Sequence, residues 1–323
     1  MNTQPTSHPV LQLVASAWKT NRAMTLFFFL NVITFVIGIV GMLVDSRMVL
    51  GVSTWNKTAK FSISLAMYAA TMLWTYHYIK GNARLKSIIL NVAAFTLTAE
   101  ILVILVQGAR GTASHYNVAT PFDTAMWSIM ATAISIFYMV SLVGIFPLMT
   151  LNVQDRPFAW SLRLGTVLML IGFGMGYLMT DPTTEQMAIL QQGEFSAMIG
   201  GHTVGGLDGG EGLPFVGWST QYGDLRLAHF VGIHGIQALA LLGWLLMQMR
   251  HRFSEGTRLA WVWGAFLTYG GVLGIITWQA FRGQSVLQVD GLTGLAYGIL
   301  LGGMLLYFSV VTLRTRPTLQ PVG

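Results

Sequence analysis

Apolar residues along this chain arrive in blocks of about 20, the length that crosses roughly 30 Å of hydrocarbon at 1.5 Å per residue. Short segments carrying Lys, Arg, Asp and Pro separate them. The pattern predicts eight membrane helices, over 24–44, 61–79, 86–107, 124–151, 162–180, 227–249, 259–280 and 291–313. Ahead of the first block, Val10, Leu11, Leu13, Val14, Ala17 and Trp18 recur at helical spacing beside Lys19 and Arg22, as expected of a short helix lying on the inner leaflet. The first block begins too late and runs too long for a signal peptide, and it ends in Asp45-Ser46-Arg47 rather than in a small-residue cleavage pattern, so it is expected to remain as an anchor. The expected fold class is therefore all-α, a polytopic transmembrane bundle. Its parts are an N-terminal segment over 1–23, a membrane domain over 24–313 with one long loop at 181–226, and a tail over 314–323.

Charge gives the bundle a direction. With the N-terminus inside, Lys19, Arg22, Lys80, Arg84, Lys86, Arg156, Arg163, Arg250, Arg252, Arg258, Arg314 and Arg316 fall in inside segments, twelve of the 18 basic residues. Asp45, Asp123, Asp181, Glu185, Glu194, Asp208, Glu211, Asp224 and Asp290 fall outside. The positive-inside rule then predicts both termini in the cytoplasm and the long loop outside.

Composition narrows the class further. Hydrophobic residues make up 54% and charged residues 9%, against about 25% charged in soluble domains, which excludes a water-soluble fold. The absence of Cys excludes a disulfide framework, thiolate metal sites and Cys nucleophiles. The net charge of +6 comes from basic residues scattered singly between apolar blocks, not from a stripe that tracks phosphates. The expected partner is the lipid bilayer and not nucleic acid.

Glycine recurs on the later helices. Gly172 and Gly176, Gly270 and Gly274, and Gly294, Gly298 and Gly302 each place a smooth stripe on one helix face, the arrangement that lets membrane helices approach closely. Asn31, Asn91, Thr132, Ser135 and Ser141 are expected to hydrogen-bond between helices. Trp55, Tyr116, Trp127, Trp218 and Trp244 fall where an aromatic belt would lie.

Candidate chemistry gathers in and after the long loop. Asp181-Pro182 reads as a helix cap followed by proline at the first helical position, opening a short surface helix that carries Met187, Leu190 and Met198. The glycine-rich run 200–218 permits positive φ and close backbone approach, which suits either a ligand or metal pocket or a flexible lid. It contains no phosphate-binding or dinucleotide pattern. Asp208 and Glu211 lack EF-hand spacing and read as solvated acids sooner than as calcium ligands.

The run 224–237 then brings Asp224, Arg226, His229, His234 and Gln237 into the start of the sixth helix. Ionisable residues at depth are costly and normally functional. His234 lies roughly 10 Å inside the outer boundary and Glu100 of the third helix roughly 11 Å, so the two are expected to meet and handle a proton together. His229 and His234 are turned apart by about 140°, and one ion would not take both from a regular helix; His234 and Gln237 share a face. His202 and His115, in outer loops, complete a candidate metal set with His229 and His234, and imidazole with carboxylate suits zinc, copper or iron. Arg226, Gln237, Asp208 and Trp218 are the candidate ligand contacts.

With the preceding loop, the 224–237 run resembles a group of uncharacterised bacterial inner-membrane proteins of about this length. The resemblance covers about a fifth of the chain; it implies a bacterial inner-membrane location and no activity. The helix reading His229-x-x-x-x-His234-Gly235 before Leu241-Leu242-Gly243-Trp244 is also faintly similar to haem-carrying membrane oxidoreductases, but partner-helix histidines are missing. Haem A synthase shares the eight-helix count and differs in the same respect. Three readings follow in order: a redox protein using haem or a transition metal, a proton-coupled transporter of a small solute, and an assembly or sensor subunit whose outer loop meets a membrane-protein partner or a second copy.

Overall fold

A computed structural model describes residues 8–79, 81–149 and 153–314. The end of the fourth predicted helix at Thr150 and Leu151, Lys80, and the tail with Arg316 lie outside the described residues. Eleven helices occur among the described residues: α1 (Pro9–Thr20), α2 (Arg22–Val44), α3 (Asn56–His77), α4 (Ala83–Arg110), α5 (Pro121–Val143), α6 (Ile145–Met149), α7 (Arg156–Tyr177), α8 (Thr184–Gln191), α9 (Leu225–Gln248), α10 (Glu255–Phe281) and α11 (Gly291–Arg314). Four two-residue strands accompany them, β1 (Met48–Val49), β2 (Val52–Ser53), β3 (Thr203–Val204) and β4 (Gly223–Asp224).

Among the described residues seven spans are long and apolar enough to cross a membrane: α2, α4, the α5–α6 segment Pro121–Leu148, α7, α9, α10 and α11. The chain is a multi-pass membrane protein. The second predicted helix exists as α3, but it falls short of that apolarity. The break between α5 and α6 comes at Gly144, because Pro147 has no N–H to return to the carbonyl four residues earlier.

The chain divides into two compact units. The first contains α1, α2, α3, α4, the later part of α5, and α6. Its centre is the packing of α3 against α2 and α4. Gly38 of α2 lies so close to Ala59 that a Cβ there would stand 2.7 Å from the Ala59 nitrogen, and Gly41 lies against the Trp55 indole. Asn21 starts α2 by accepting from the Met24 amide and ties it to α4 through Asn91, at 2.8 Å. α4 stops at Gly111, whose φ of 72° closes the last turn, with the Thr112 amide returning to the Gln107 carbonyl. α1 has the expected surface character, with no buried residue.

The second unit contains β1, the start of α5, and all elements from α7 onward. α7 and α9 form its backbone-to-backbone seam. A Cβ on Gly172 would stand 2.2 Å from the Ile233 nitrogen, and one on Gly232 would stand 2.5 Å from the Gly172 Cα. α10 packs on both helices, through a core of Leu164, Leu168, Leu239, Leu246, Val262 and Leu273. α11 touches α10 with Tyr307 and Leu300 seated on Gly264 and Gly271. The predicted α11 stripe is thus on another face: added Cβ atoms at Gly298 and Gly302 meet nothing within 4 Å, nor does one at Gly274 of α10. The physical reason is that large α11 side chains fill α10 glycine notches, which leaves Gly298 and Gly302 of α11 without a packing partner among the described residues.

Candidate functional site

The long connection is a folded module rather than an open loop, and side-chain bonds to its backbone build it. Its helix α8 begins two residues later than the sequence implies. Thr183, not Asp181, is the cap, because Thr183 and Gln186 satisfy each other's backbone amides in a capping box. Met198 lies beyond α8, where its backbone bridges to Asn117. Gln186 also clamps Gly200, donating to its carbonyl at 3.0 Å and accepting from its amide at 2.8 Å. β3 pairs with β4 antiparallel, Thr203 opposite Asp224.

Two acids hold the glycine-rich part. Asp208 accepts from the Thr203 amide at 2.9 Å and the His202 amide at 3.2 Å, so it acts as a backbone clamp and not as the solvated acid expected. Asp224 caps α9 and accepts from the Ser219 amide at 2.9 Å and from the Arg226 guanidinium at 2.6 Å, and Arg226 also reaches the Gly217 carbonyl at 2.5 Å. His202 stands between the acids, with Nδ1 3.2 Å from Asp208 and 3.8 Å from Asp224. Burial by itself would push the Asp224 carboxyl up; bonds from Arg226, the charges of Arg226 and His202 and the Ser219 amide together hold it below the usual 3.8.

That direction fixes a pH dependence. A carboxyl whose folded pKa lies below its unfolded one adds stability above about pH 3.8, and that stability is lost as pH falls through the folded value. Amides of Ser219 and Arg226 should therefore keep their hydrogen-exchange protection from pH 7 to about pH 4.5 and lose it only below the ordinary carboxylate pKa. Loss already near pH 6 would assign the module's pH sensitivity to another group. Asp224→Asn should show the loosened pattern at neutral pH.

The other candidates in this unit are separately engaged. The His229 ring is part of the α7–α9 seam, Nδ1 lying 2.7 Å from the Gly172 carbonyl oxygen. The His234 ring lies tilted against Phe230, centroids 4.4 Å apart, and Phe230 in turn meets Trp218 at 5.6 Å. Gln237 lies beside His234, on the shared face expected. His115 bonds Ser114 and packs on Trp127. Among the described residues no group of three His, Asp or Glu side chains is arranged so that it could hold a metal ion.

Glu100 belongs to the first unit and His234 to the second. Glu100 is 5% exposed, on the face of α4 that also buries Leu97, Ile104 and Gln107. Lys57, in the first turn of α3, is its charged neighbour. The surrounding helices bury unusually polar residues for a membrane bundle: Asn31, Thr34, Thr58 and Ser62 are each at most 1% exposed. Thr34 and Ser62 bond each other across α2 and α3 at 2.8 Å. Sequence reasoning placed Lys57 among outside charges and missed its bearing on Glu100. The available signal was Lys57, Thr58 and Ser62 at the head of the least apolar predicted helix.

Gln279, near the end of α10, was also missed. It is 1% exposed, and its amide nitrogen donates to the Ser285 carbonyl at 2.7 Å and to the Gln288 carbonyl at 3.2 Å. Its signal was a lone amide in the last turn of an otherwise apolar block.

No protein-family model, curated protein or solved structure matches the chain.

Proposed function

We propose that this protein couples proton movement to the passage of a small solute, with Glu100 as the group that takes and releases the proton. In this reading α3 is an eighth span, both termini face the cytoplasm of a bacterial cell, and the module between α7 and α9 lies outside the inner membrane. The 22 residues of α3 reach about 33 Å at 1.5 Å each. Its Asn56, Thr58, Ser62 and Thr75 side chains are buried, which lets a helix of lower hydropathy sit in lipid.

The observation that carries the reading is Glu100 itself, a carboxyl 5% exposed on α4 in a unit that also buries Asn31, Thr58 and Ser62, with Lys57 of α3 as a cationic charge in its surroundings. Charged groups at membrane depth are costly and mark ion and proton paths. A lysine that neutralises the carboxylate when the proton leaves gives both protonation states a place in the cycle.

Proteoliposomes loaded with a pH-sensitive dye test it. Amino acids, sugars and short carboxylic acids are supplied under an imposed pH gradient. One solute class should trigger proton entry, and Glu100→Gln should slow that entry by about tenfold or more, or at least about 1.4 kcal/mol of barrier. Entry at the full rate in a correctly inserted Gln variant would contradict the assignment.

A second reading, a haem or transition metal bound through histidine, is supported by His229. A neutral ring that donates its Nδ1 proton to the Gly172 carbonyl presents the Nε2 lone pair, the orientation that outer partners give to metal-binding imidazoles. It predicts a Soret band or stoichiometric metal in the purified protein, lost on His229→Ala or His234→Ala. A colourless, metal-free preparation would leave the proton-coupled reading alone.

A further inference from the structure

At the end of α10 a small crevice opens between the module and the bundle of the second unit. Its walls include Trp218, Ser219, Asp224, Leu227, Gln279 and Val286. It has room for roughly one water-sized group. Gln279 is the informative side chain. Its amide nitrogen is held by two carbonyls, those of Ser285 and Gln288, and turning the amide over would set oxygen against both. The orientation is thereby fixed by the network. Its Oε1 atom is buried and has no hydrogen-bond partner among the described residues, a condition native interiors rarely leave standing.

The lining selects the chemistry that would satisfy it. The free group is an acceptor, so the occupant must donate. The Asp224 carboxylate forms one wall, and α10 ends here with the partial negative charge of a helix C-terminus; both favour a cation. Trp218 is among the lining residues, and indole rings attract ammonium groups. A metal ion would need several free oxygen ligands, and Gln279 supplies one, since the Asp224 oxygens already serve Arg226 and Ser219. A trimethylammonium group or a hydrated ion exceeds the space. We propose that this crevice is a binding site for a primary ammonium group, either free ammonium or a small amine, or the headgroup amine of a lipid at the span ends.

Thermal unfolding of the full chain in detergent tests the site, with ammonium, methylammonium, choline and potassium chlorides at equal ionic strength. Ammonium and methylammonium should raise Tm by about 3 °C at saturation, and choline and potassium should not. Gln279→Met should abolish the difference. Val286→Phe, which fills the crevice and leaves the Gln279 amide in place, should abolish it too and guards against a folding defect in the first variant. Nanodiscs of phosphatidylethanolamine against phosphatidylcholine separate the sources: stabilisation by the former assigns a lipid headgroup, and a response confined to added ammonium assigns a free ligand. Equal effects of all four salts, or a response retained in both variants, would overturn the proposal.

Discussion

Gly172→Leu is expected to force α7 and α9 apart and to destabilise the second unit by more than about 3 kcal/mol, the upper range for overpacking a tight interior. A Cβ at this position already stands 2.2 Å from the Ile233 nitrogen and 2.4 Å from the Gly232 carbonyl carbon. These are backbone atoms of a helix, and no side chain can swing away to relieve the contact. The Gly172 carbonyl would also lose His229, so one substitution breaks packing and a hydrogen bond together. Gly298→Leu serves as the control, because a Cβ added there meets nothing within 4 Å among the described residues, and it should change stability by less than about 0.5 kcal/mol. Unfolding in mixed micelles, followed by tryptophan fluorescence, measures both. A Gly172→Leu protein as stable as the Gly298→Leu protein would mean that the seam is looser than described.

Asp155→Ala should cost a similar amount for a different reason. Arg258 of α10 is buried, its side chain 6% exposed, and pairs with Asp155 at 2.5 Å. Removing the acid leaves an uncompensated buried guanidinium, typically about 3–5 kcal/mol. Asp155 also caps α7 by accepting from the Phe158 amide at 3.0 Å, worth about 1 kcal/mol. Asparagine is as good a cap as aspartate, so Asp155→Asn isolates the charge term. Adding Arg258→Met to Asp155→Ala should recover most of the loss, since removing both partners is far less costly than removing one. If the double variant is no more stable than Asp155→Ala, the pair is not the source. The neighbouring Arg156–Glu255 pair, at 3.3 Å with exposed side chains, should matter little.

Helices were legible because lipid imposes a single requirement, a continuous apolar stretch with its backbone bonded internally. The predicted spans 227–249 and 291–313 match α9 and α11 to within two residues. The module was not legible, since its shape depends on Gln186, Asp208 and Asp224 reaching backbone amides many residues away, and no local periodicity records such reach. The same limit hid Lys57: its distance along the chain from Glu100 says nothing of its charge acting there. Glycine stripes were visible as spacing, but spacing alone did not tell the occupied notches of Gly172 and Gly232 from the open face of α11.

Carbodiimide labelling tests the central claim most directly. A hydrophobic carbodiimide reacts with the protonated form of carboxyls reached through the membrane interior, and its adduct is read by mass spectrometry. The account predicts a single adduct on Glu100, with a labelling rate that falls as pH rises, and its absence in Glu100→Gln. A wild-type protein that stays unmodified at Glu100 across the pH range while labelling elsewhere would contradict a proton-exchanging role for this residue.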